Sequence, residues 1–261
     1  MTQEISLLGL SVVYALLLIP VALFVAIRLP LLKETAIAVG RMTVQLLLVG
    51  LYVELLFNYN RWWLSLIWLL VMILVANGAT LRRAGRKDLL LFPQSLLSLA
   101  LGIAVPLVTL LTLAVRPQPL YDARYLIPLA GMLLGNSLRA NIISLERFLA
   151  SLREGFDDYL SALSLGASRT EALLPSIRSS LSAALSPTIA TIATIGLVSL
   201  PGMMTGQILG GSAPMTAITY QIAIMIAILV ATTITSTLNI FLTIRTTFDQ
   251  HDIPKRQLME P

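Results

Sequence analysis

Residue types on which enzymes and secreted proteins rely are missing from this chain or scarce in it. Its 261 residues include no cysteine and one histidine, His251. Disulfides, thiolate metal sites and cysteine nucleophiles are therefore excluded. Only 12% of the residues are charged, about half of the roughly 25% that is usual in soluble globular proteins. Most soluble enzymes and all disordered classes are excluded, and no Ser-His, paired-Asp or metal-ligand set is available for an intramembrane enzyme.

Apolar residues take the place of the missing charge. Hydrophobic residues make up 57% of the chain, and the mean hydropathy is +0.86. A bilayer core of roughly 30 Å needs about 20 apolar residues per helix. The sequence therefore predicts an all-α integral membrane protein, with one transmembrane domain over 1–261 and about seven spans. The predicted spans are 5–27, 42–57, 62–81, 89–115, 125–145, 187–209 and 217–244.

The basic residues predict how the chain is oriented in the membrane. With the N-terminus outside, the inner segments hold fourteen Lys and Arg residues, whereas the outer segments hold only Arg61, Arg116 and Arg124. This is the bias of the positive-inside rule, and it places the C-terminus in the cytoplasm. The formal net charge of +5 is explained by the same bias, so no nucleic-acid partner is expected.

One connection, 146–186, is long, and the predicted topology places it in the cytoplasm. Helical spacing predicts that the fifth span continues past the membrane surface until Gly155 breaks it. A short helix is expected over 158–165, with Gly166 as its C-terminal stop. Two interpretations of this loop stay open: it presents a rigid helix to a cytoplasmic partner, or it lies on the lipid as an interfacial hairpin.

The last part of the loop carries a helix signal of its own. Ser168 and Glu171 have the spacing of a capping box and open an amphipathic helix. Pro187 is then expected to begin the sixth span.

Polar residues inside the spans are costly and indicate functional positions. Arg139 lies 14 residues after Tyr125, about 21 Å into the core. It either snorkels to the cytoplasmic surface or binds an anionic group together with Asn136. Glu54 also allows two interpretations: it lies at the membrane interface, or it forms a cation exit site. The remaining intramembrane candidates are Gln45, Asn77, Gln207, Gln221 and Asn239.

Proline and small residues in the sixth span predict a break or a close helix contact. Pro201 removes one backbone hydrogen bond, and Gly202, Gly206 and Gly210 repeat every four residues. This pattern is typical of a gate near the membrane midplane and equally of static packing. A second pair of small residues, Gly131 and Gly135, lies in the fifth span.

Two methionines follow the break, and they also allow two interpretations. Met203 and Met204 are soft ligands for a metal in transit, or adaptable packing residues. No metal site is assigned, because the spans contain no cysteine or histidine.

Several segments resemble the permease subunits of the Fet-type ABC transporters, the bacterial iron-export family, and their plant aluminium-tolerance relatives. The similarity covers about 38–244, and the proline-glycine-methionine segment is its most specific part. The segments are Gly40-Arg41 with Gln45 and Gly50, Ile127-Pro-Leu-Ala-Gly-Met132 with Gly135-Asn136, Leu163-Ser-Leu-Gly-Ala167, Gly196-Leu-Val-Ser-Leu-Pro-Gly-Met-Met-Thr-Gly206 and Ala217-Ile-Thr-Tyr-Gln221.

The resemblance implies a permease homodimer in the bacterial inner membrane, working with two copies of a separate cytoplasmic ATPase. ATP and Mg²⁺ then belong to that partner, and this chain binds no cofactor. Its cargo is expected to be iron or a related metal species. Because the plant members are associated with nucleotide-sugar export, an organic anion is the alternative. The implied ATPase-coupling residues are Tyr159, Ala162, Leu163, Leu165, Gly166 and Ala167.

The chain has no ATP site of its own, since a P-loop needs a lysine followed by serine or threonine. Its three lysines are followed by Glu34, Asp88 and Arg256. Two other classes stay open: a gradient-driven secondary transporter and a non-transporting membrane scaffold. The spans offer only one carboxylate for proton coupling and no internal repeat, which disfavours the first. The scaffold leaves the broken sixth span without a purpose.

Overall fold

The chain folds into a bundle of helices, as its long apolar segments predict. A computed structural model describes residues 6–59, 61–83, 91–249 and 252–255. Within those ranges there are ten α-helices and no named strand: α1 Leu7–Ala15, α2 Leu18–Ala26, α3 Leu32–Tyr59, α4 Trp62–Arg83, α5 Phe92–Thr109, α6 Ala123–Glu154, α7 Phe156–Ser164, α8 Arg169–Thr194, α9 Gly202–Leu209 and α10 Pro214–Thr247. A π-helical turn, Leu110–Val115, extends α5. Ile5, Arg86, Lys87, Leu89, Arg256 and His251 lie outside the described residues.

Six helical segments of the described chain are long and apolar enough to cross a membrane. They are α1 with α2, α3, α4, α5 with its π-helical turn, α6 and α10. The remaining predicted span, 187–209, is discontinuous: it comprises the end of α8, an irregular stretch over 195–201, and the short helix α9. The expected all-α membrane fold of about seven spans is therefore confirmed, with one span broken.

Three predicted boundaries need correction. The second span is longer than the 16 residues expected, because α3 has 28 residues. No helix begins at Pro187, since α8 is one helix of 26 residues that continues through this proline. A proline removes one hydrogen bond, but packing against neighbouring helices lets a bundle tolerate it. The short loop helix α7 starts at Phe156, two residues earlier than predicted, with Gly155 at its N-cap.

Other local signals in the loop act as the sequence indicates. α6 is continuous over 32 residues and ends at Gly155. Gly166 has a φ of +93°, a conformation that side chains rarely adopt, so α7 ends there. The capping box is formed: the Glu171 N–H donates to the Ser168 side chain, and the Ser168 N–H donates to the Glu171 carboxylate at 2.8 Å. These bonds lower the pKa of Glu171.

The core of the bundle lies between α4, α5, α6, α8 and α10. Its apolar centre is formed by residues such as Leu99, Leu133 and Ile224, each at most 1% exposed. No residue of α1 or α2 is buried, and Leu56 is the one buried residue of α3. The long apolar faces of these three helices are therefore left for lipid or for another chain.

α5 and α10 approach each other closely at a glycine. A Cβ built on Gly102 lies 2.9 Å from the Thr235 backbone nitrogen and 3.0 Å from its Cα. Neither backbone atom can move without shifting a helix. Small residues allow such close approach in membranes, where dispersion contacts hold helices together.

Replacing Gly102 with alanine is expected to lower the free energy of unfolding by about 1–3 kcal/mol, because the added methyl group overpacks the α5–α10 contact. Thermal unfolding of the detergent-purified chain measures the loss. Gly40→Ala is the matched control, since a Cβ on Gly40 meets nothing within 4 Å. Equal melting temperatures for the two variants would contradict the close-packing role of Gly102.

Candidate functional site

A cavity of about 240 Å³ lies where α6, α8 and α10 meet the start of α9. Both parts of the broken sixth span contribute to its wall, α8 through Pro187 and Thr191, and α9 through Gly202. Of the residues that the sequence predicts for a path or gate, five line this cavity: Asn136, Arg139, Pro201, Gly202 and Met203.

α6 supplies the most polar part of the wall. Asn136 and Arg139 are three residues apart and share one helix face. The Asn136 Nδ2 donates to the Met132 carbonyl at 2.8 Å, which fixes the amide on the helix. No carboxylate lines the cavity with Arg139. The cavity wall therefore carries a positive charge that no lining residue neutralises.

The irregular stretch 195–201 forms one edge of the cavity. Gly196 has a φ of +86°, and its N–H donates to the Ser199 carbonyl at 2.9 Å, which closes a tight turn. α9 then begins after Pro201 without any side-chain cap. Its first internal bond runs from the Thr205 N–H to the Pro201 carbonyl. The N–H groups that precede Thr205 have no acceptor inside the helix.

α10 contributes one polar residue to the cavity wall, which the sequence predicted only as a polar side chain inside a span. Gln221 lines the cavity and is 8% exposed, and its Oε1 has no hydrogen-bond partner among the described residues. Thr188 and Thr191, one turn apart on α8, also line the wall. Their one-turn spacing is a usable signal in the sequence, although neither threonine was among the predicted site residues. No sequence signal singles out the other lining residues, among them Met132 and Met225.

The other predicted path residues lie elsewhere. Gln45 is exposed on α3. Asn77 is fully buried between α4 and α5, where its Nδ2 donates to the Phe92 carbonyl at 2.9 Å. Asn239 is also buried, toward the other end of α10, and Glu54 is exposed. Three predicted residues of α9 do not line the cavity: Met204, Gly206 and Gln207.

The three glycines predicted for helix packing differ in their surroundings. A Cβ on Gly131 lies 3.3 Å from the Met72 methyl group, so α6 and α4 are close there. A Cβ on Gly135 meets nothing within 4 Å. Gly210 ends α9, and its nearest neighbours are the carbonyls of that helix's own last turn.

A second feature lies at the other end of the bundle, where α7 is held against the end of α10. Tyr159 is 3% exposed, and its hydroxyl donates to the Asp252 carbonyl at 2.6 Å. The Asp252 carboxylate forms an ion pair with Arg169 at 3.1 Å. Phe248, at the C-cap of α10, packs edge-on against the Tyr159 ring. We call 252–255 the C-terminal latch.

The latch is itself folded back on α10. The Lys255 N–H donates to the Thr247 carbonyl at 2.9 Å, and its Nζ donates to the Thr246 carbonyl at 2.9 Å. α7, the latch and α10 are thus joined by hydrogen bonds and buried rings.

Burial and the nearby Asp252 raise the pKa of Tyr159 to about 12. The folded state therefore holds the phenol proton more tightly than the unfolded chain does. The stability that this proton contributes is complete below about pH 10, the ordinary tyrosine pKa, and is lost as the pH rises from there through 12. The Tyr159 hydroxyl stays a donor throughout the physiological range.

The tip of the loop differs from Tyr159 because it faces outward. Leu165 is 89% exposed, at the turn that Gly166 makes possible. Ala162, Leu163 and Ala167 are half-buried beneath it. Of the six residues predicted for ATPase coupling, Leu165 and Gly166 are thus freely accessible, and Tyr159 is enclosed.

Comparisons with known proteins agree with this membrane architecture. The model of a family described as "Uncharacterised protein family (UPF0014)" matches residues 7–248. The chain is 33% identical over 212 residues to "UPF0014 membrane protein slr1647" of Synechocystis, covering 81% of this chain and 82% of that protein. No solved structure matches the chain significantly.

Two further relatives have names that describe a role. "Protein ALUMINUM SENSITIVE 3" of Arabidopsis thaliana is 34% identical over 80% of this chain and 75% of its own length. "Probable iron export permease protein FetB" of Escherichia coli is 31% identical over 95% of both chains. The similarity therefore extends over nearly all the spans described above.

Replacing Tyr159 with phenylalanine removes the bond to the Asp252 carbonyl and leaves the ring packing in place. We expect a loss of about 1 kcal/mol in stability and faster hydrogen exchange of the Asp252, Ile253 and Lys255 amides, measured by mass spectrometry. Tyr121→Phe, which changes an exposed tyrosine, is the control. Unchanged exchange of the latch would show that Tyr159 does not hold it.

Proposed function

This chain belongs to the UPF0014 family of membrane proteins, and from that premise we propose that it is the membrane-spanning permease subunit of an ABC transporter. It exports iron or a related metal species, and a separate cytoplasmic ATPase drives it. A single observation carries the proposal. The exposed tip of α7 is connected through the C-terminal latch to α10, a helix that lines the cavity.

The cavity is the proposed translocation path. Non-helical backbone at membrane depth is tolerated only where protein covers it or water reaches it. The stretch 195–201 is such backbone, and it borders the cavity through Pro201. Discontinuous helices next to a cavity are how transporters build binding sites and gates.

α7 is the proposed docking element for the ATPase. A leucine that is 89% exposed on a short helix gains free energy when a partner covers it. The Gly166 turn brings the backbone close to the surface, and the half-buried Ala162, Leu163 and Ala167 keep the tip narrow. Tyr159 is assigned as a positioning residue, because it is enclosed beneath the docking surface.

Movement of α7 is passed to the cavity through α10. The latch connects Tyr159 to the end of α10, and Gln221 lies on the same helix 27 residues before Phe248. At 1.5 Å per residue this is about 40 Å of continuous helix. A rigid helix of that length carries a displacement at the latch to the cavity wall.

A second copy of the chain is the proposed neighbour of the broken span. Leu197 is 91% exposed and Val198 is 80% exposed on the irregular stretch. The backbone there needs protein cover, and Gly206 on α9 offers a close approach, since a Cβ built on it meets nothing within 4 Å. We assign this face to the contact between two permease subunits.

The orientation and the energy source follow from the same assignment. α7 faces the ATPase, so the loop 146–186 and the C-terminus are cytoplasmic and the N-terminus is outside. ATP and Mg²⁺ belong to the partner, because no lysine of this chain has the P-loop context. Two ATPase copies match two permease copies.

The cargo is assigned through the relative named as a probable iron export permease. An organic anion such as a nucleotide sugar is the alternative, and the positive charge of Arg139 in the cavity favours it. A gradient-driven transporter explains the cavity but not the exposed tip of the loop. A scaffold explains the exposed tip but not the cavity.

Replacing Leu165 with aspartate is expected to abolish recovery of a P-loop ATPase when the tagged chain is purified from its own membranes, because a charge then occupies the apolar docking tip. The amount of co-purifying ATPase and its hydrolysis rate are measured. Leu120→Asp is the matched control, since Leu120 is 50% exposed in the turn before α6.

Equal recovery with Leu165→Asp and Leu120→Asp would contradict docking at α7. If the unaltered chain brings down no ATPase at all, the permease assignment fails, and the gradient-driven and scaffold classes gain weight.

Replacing Gly206 with leucine is expected to convert the dimer to a monomer, because the side chain blocks close approach of the second copy at α9. Light scattering on the detergent complex measures the mass. Gly40→Leu, at an open position on α3, is the control. An intact dimer that no longer transports would instead assign Gly206 to a gate.

A further inference from the structure

We propose that the cavity between α6, α8, α9 and α10 binds a compact, soluble oxyanion, carrying phosphate or carboxylate groups, so that cargo enters the path as an anion and not as a bare metal ion. The inference deepens the proposed function and rests on the cavity being the path. It is carried by three groups on three different helices: Arg139 on α6, Gln221 on α10 and the first turn of α9.

The charge of the cavity comes from Arg139. Its guanidinium is the one charged group among the lining residues, and no Asp, Glu, His or Cys lines the wall with it. An arginine remains protonated at any physiological pH and binds carboxylate or phosphate oxygens through two parallel hydrogen bonds. Arg139 is exposed, and the described part of the chain gives its guanidinium no carboxylate partner, so an anion that enters the cavity can reach it.

Gln221 provides independent evidence for a ligand. It is 92% buried, it lines the cavity, and its Oε1 has no hydrogen-bond partner among the described residues. The Oε1 atom has almost no accessible surface, so it does not face the cavity. The Nε2 group is the polar part of Gln221 that lines the cavity, and it is a donor that pairs with an anion.

The first turn of α9 faces the same space. Gly202 and Met203 line the cavity, and their N–H groups precede the first internal bond of this eight-residue helix. No side chain caps them. The amino end of a helix carries a partial positive charge and free donors, which favours oxyanions. These amides, like Arg139 and Gln221, are thus suited to bind an oxyanion.

A bare cation fits the same wall poorly. Hard cations take carboxylate and carbonyl oxygens, and no carboxylate is available. The thioethers of Met132, Met203 and Met225 would suit a soft cation, but Arg139 repels any positive ion in the same cavity. At about 240 Å³ the space is below the range of roughly 300–1,000 Å³ for drug-sized ligands. A compact ion fits, and an iron cargo would enter within a negatively charged chelate.

Calorimetric titration of the detergent-purified full-length chain with citrate and with inorganic phosphate tests the inference. We expect binding that Arg139→Gln weakens at least tenfold, the loss typical of a charge-assisted hydrogen bond. Gln221→Leu is expected to weaken it about fivefold. Arg178→Gln removes the same charge from an exposed position on α8 outside the cavity lining, and it is expected to bind like the unaltered chain.

Separate titrations with Fe²⁺ alone, Cu⁺ alone and phosphatidylglycerol micelles complete the design. The inference is overturned if Arg139→Gln binds citrate and phosphate as well as Arg178→Gln does. It is also overturned if only a bare metal ion or only the lipid binds. Gel filtration checks that each variant is folded. Gln221→Leu leaves the positive charge of Arg139 in place, so its effect on binding is separate from the loss of that charge.

The same preparations are scored for ATPase recovery, which separates the two proposals. A recovered ATPase without anion binding contradicts the anionic cargo alone. Anion binding without a recovered ATPase contradicts the permease assignment and leaves the oxyanion site standing.

Discussion

Hydrocarbon offers the backbone no hydrogen-bond partner, and the rest of this fold depends on that constraint. Nearly all of the membrane-depth chain is helical, because only a helix satisfies its own N–H and C=O groups within one segment. Several threonine side chains follow the same rule: Thr232, for example, donates to the Ile228 carbonyl one turn earlier on α10. The interior of the bundle can therefore hold many hydroxyl groups at little cost.

The stretch 195–201 is the exception, and the proposed path and subunit contact both depend on it. Seven residues leave the helical pattern between α8 and α9, and the turn needs the positive φ of Gly196. Such backbone is stable only beside water or protein. It borders the cavity on one side and exposes Leu197 on the other. One break thus accounts for both the proposed path and the proposed contact between subunits.

α10 connects the two ends of the molecule. Its Gln221 lies in the cavity wall, and Phe248 at its end packs on Tyr159 beneath the loop tip. The close α5–α10 contact at Gly102 holds the middle of this helix next to α5. In the proposed function, a partner that docks at α7 acts on α10 through the latch, and this continuous helix spans the roughly 40 Å to the cavity.

The sequence by itself determined the elements that depend on local chemistry: the apolar spans, the capping box at Ser168 and the stop at Gly166. It also indicated the polar residues of the cavity, since an arginine or an amide at membrane depth is conspicuous. Only the tertiary structure decided which of them meet. Arg139 and Gln221 are 82 positions apart and share a cavity because α6 packs on α10, whereas Gln45, equally polar, faces outward. Hydropathy and capping act within a few residues, but the direction a side chain faces is set by which helices pack together.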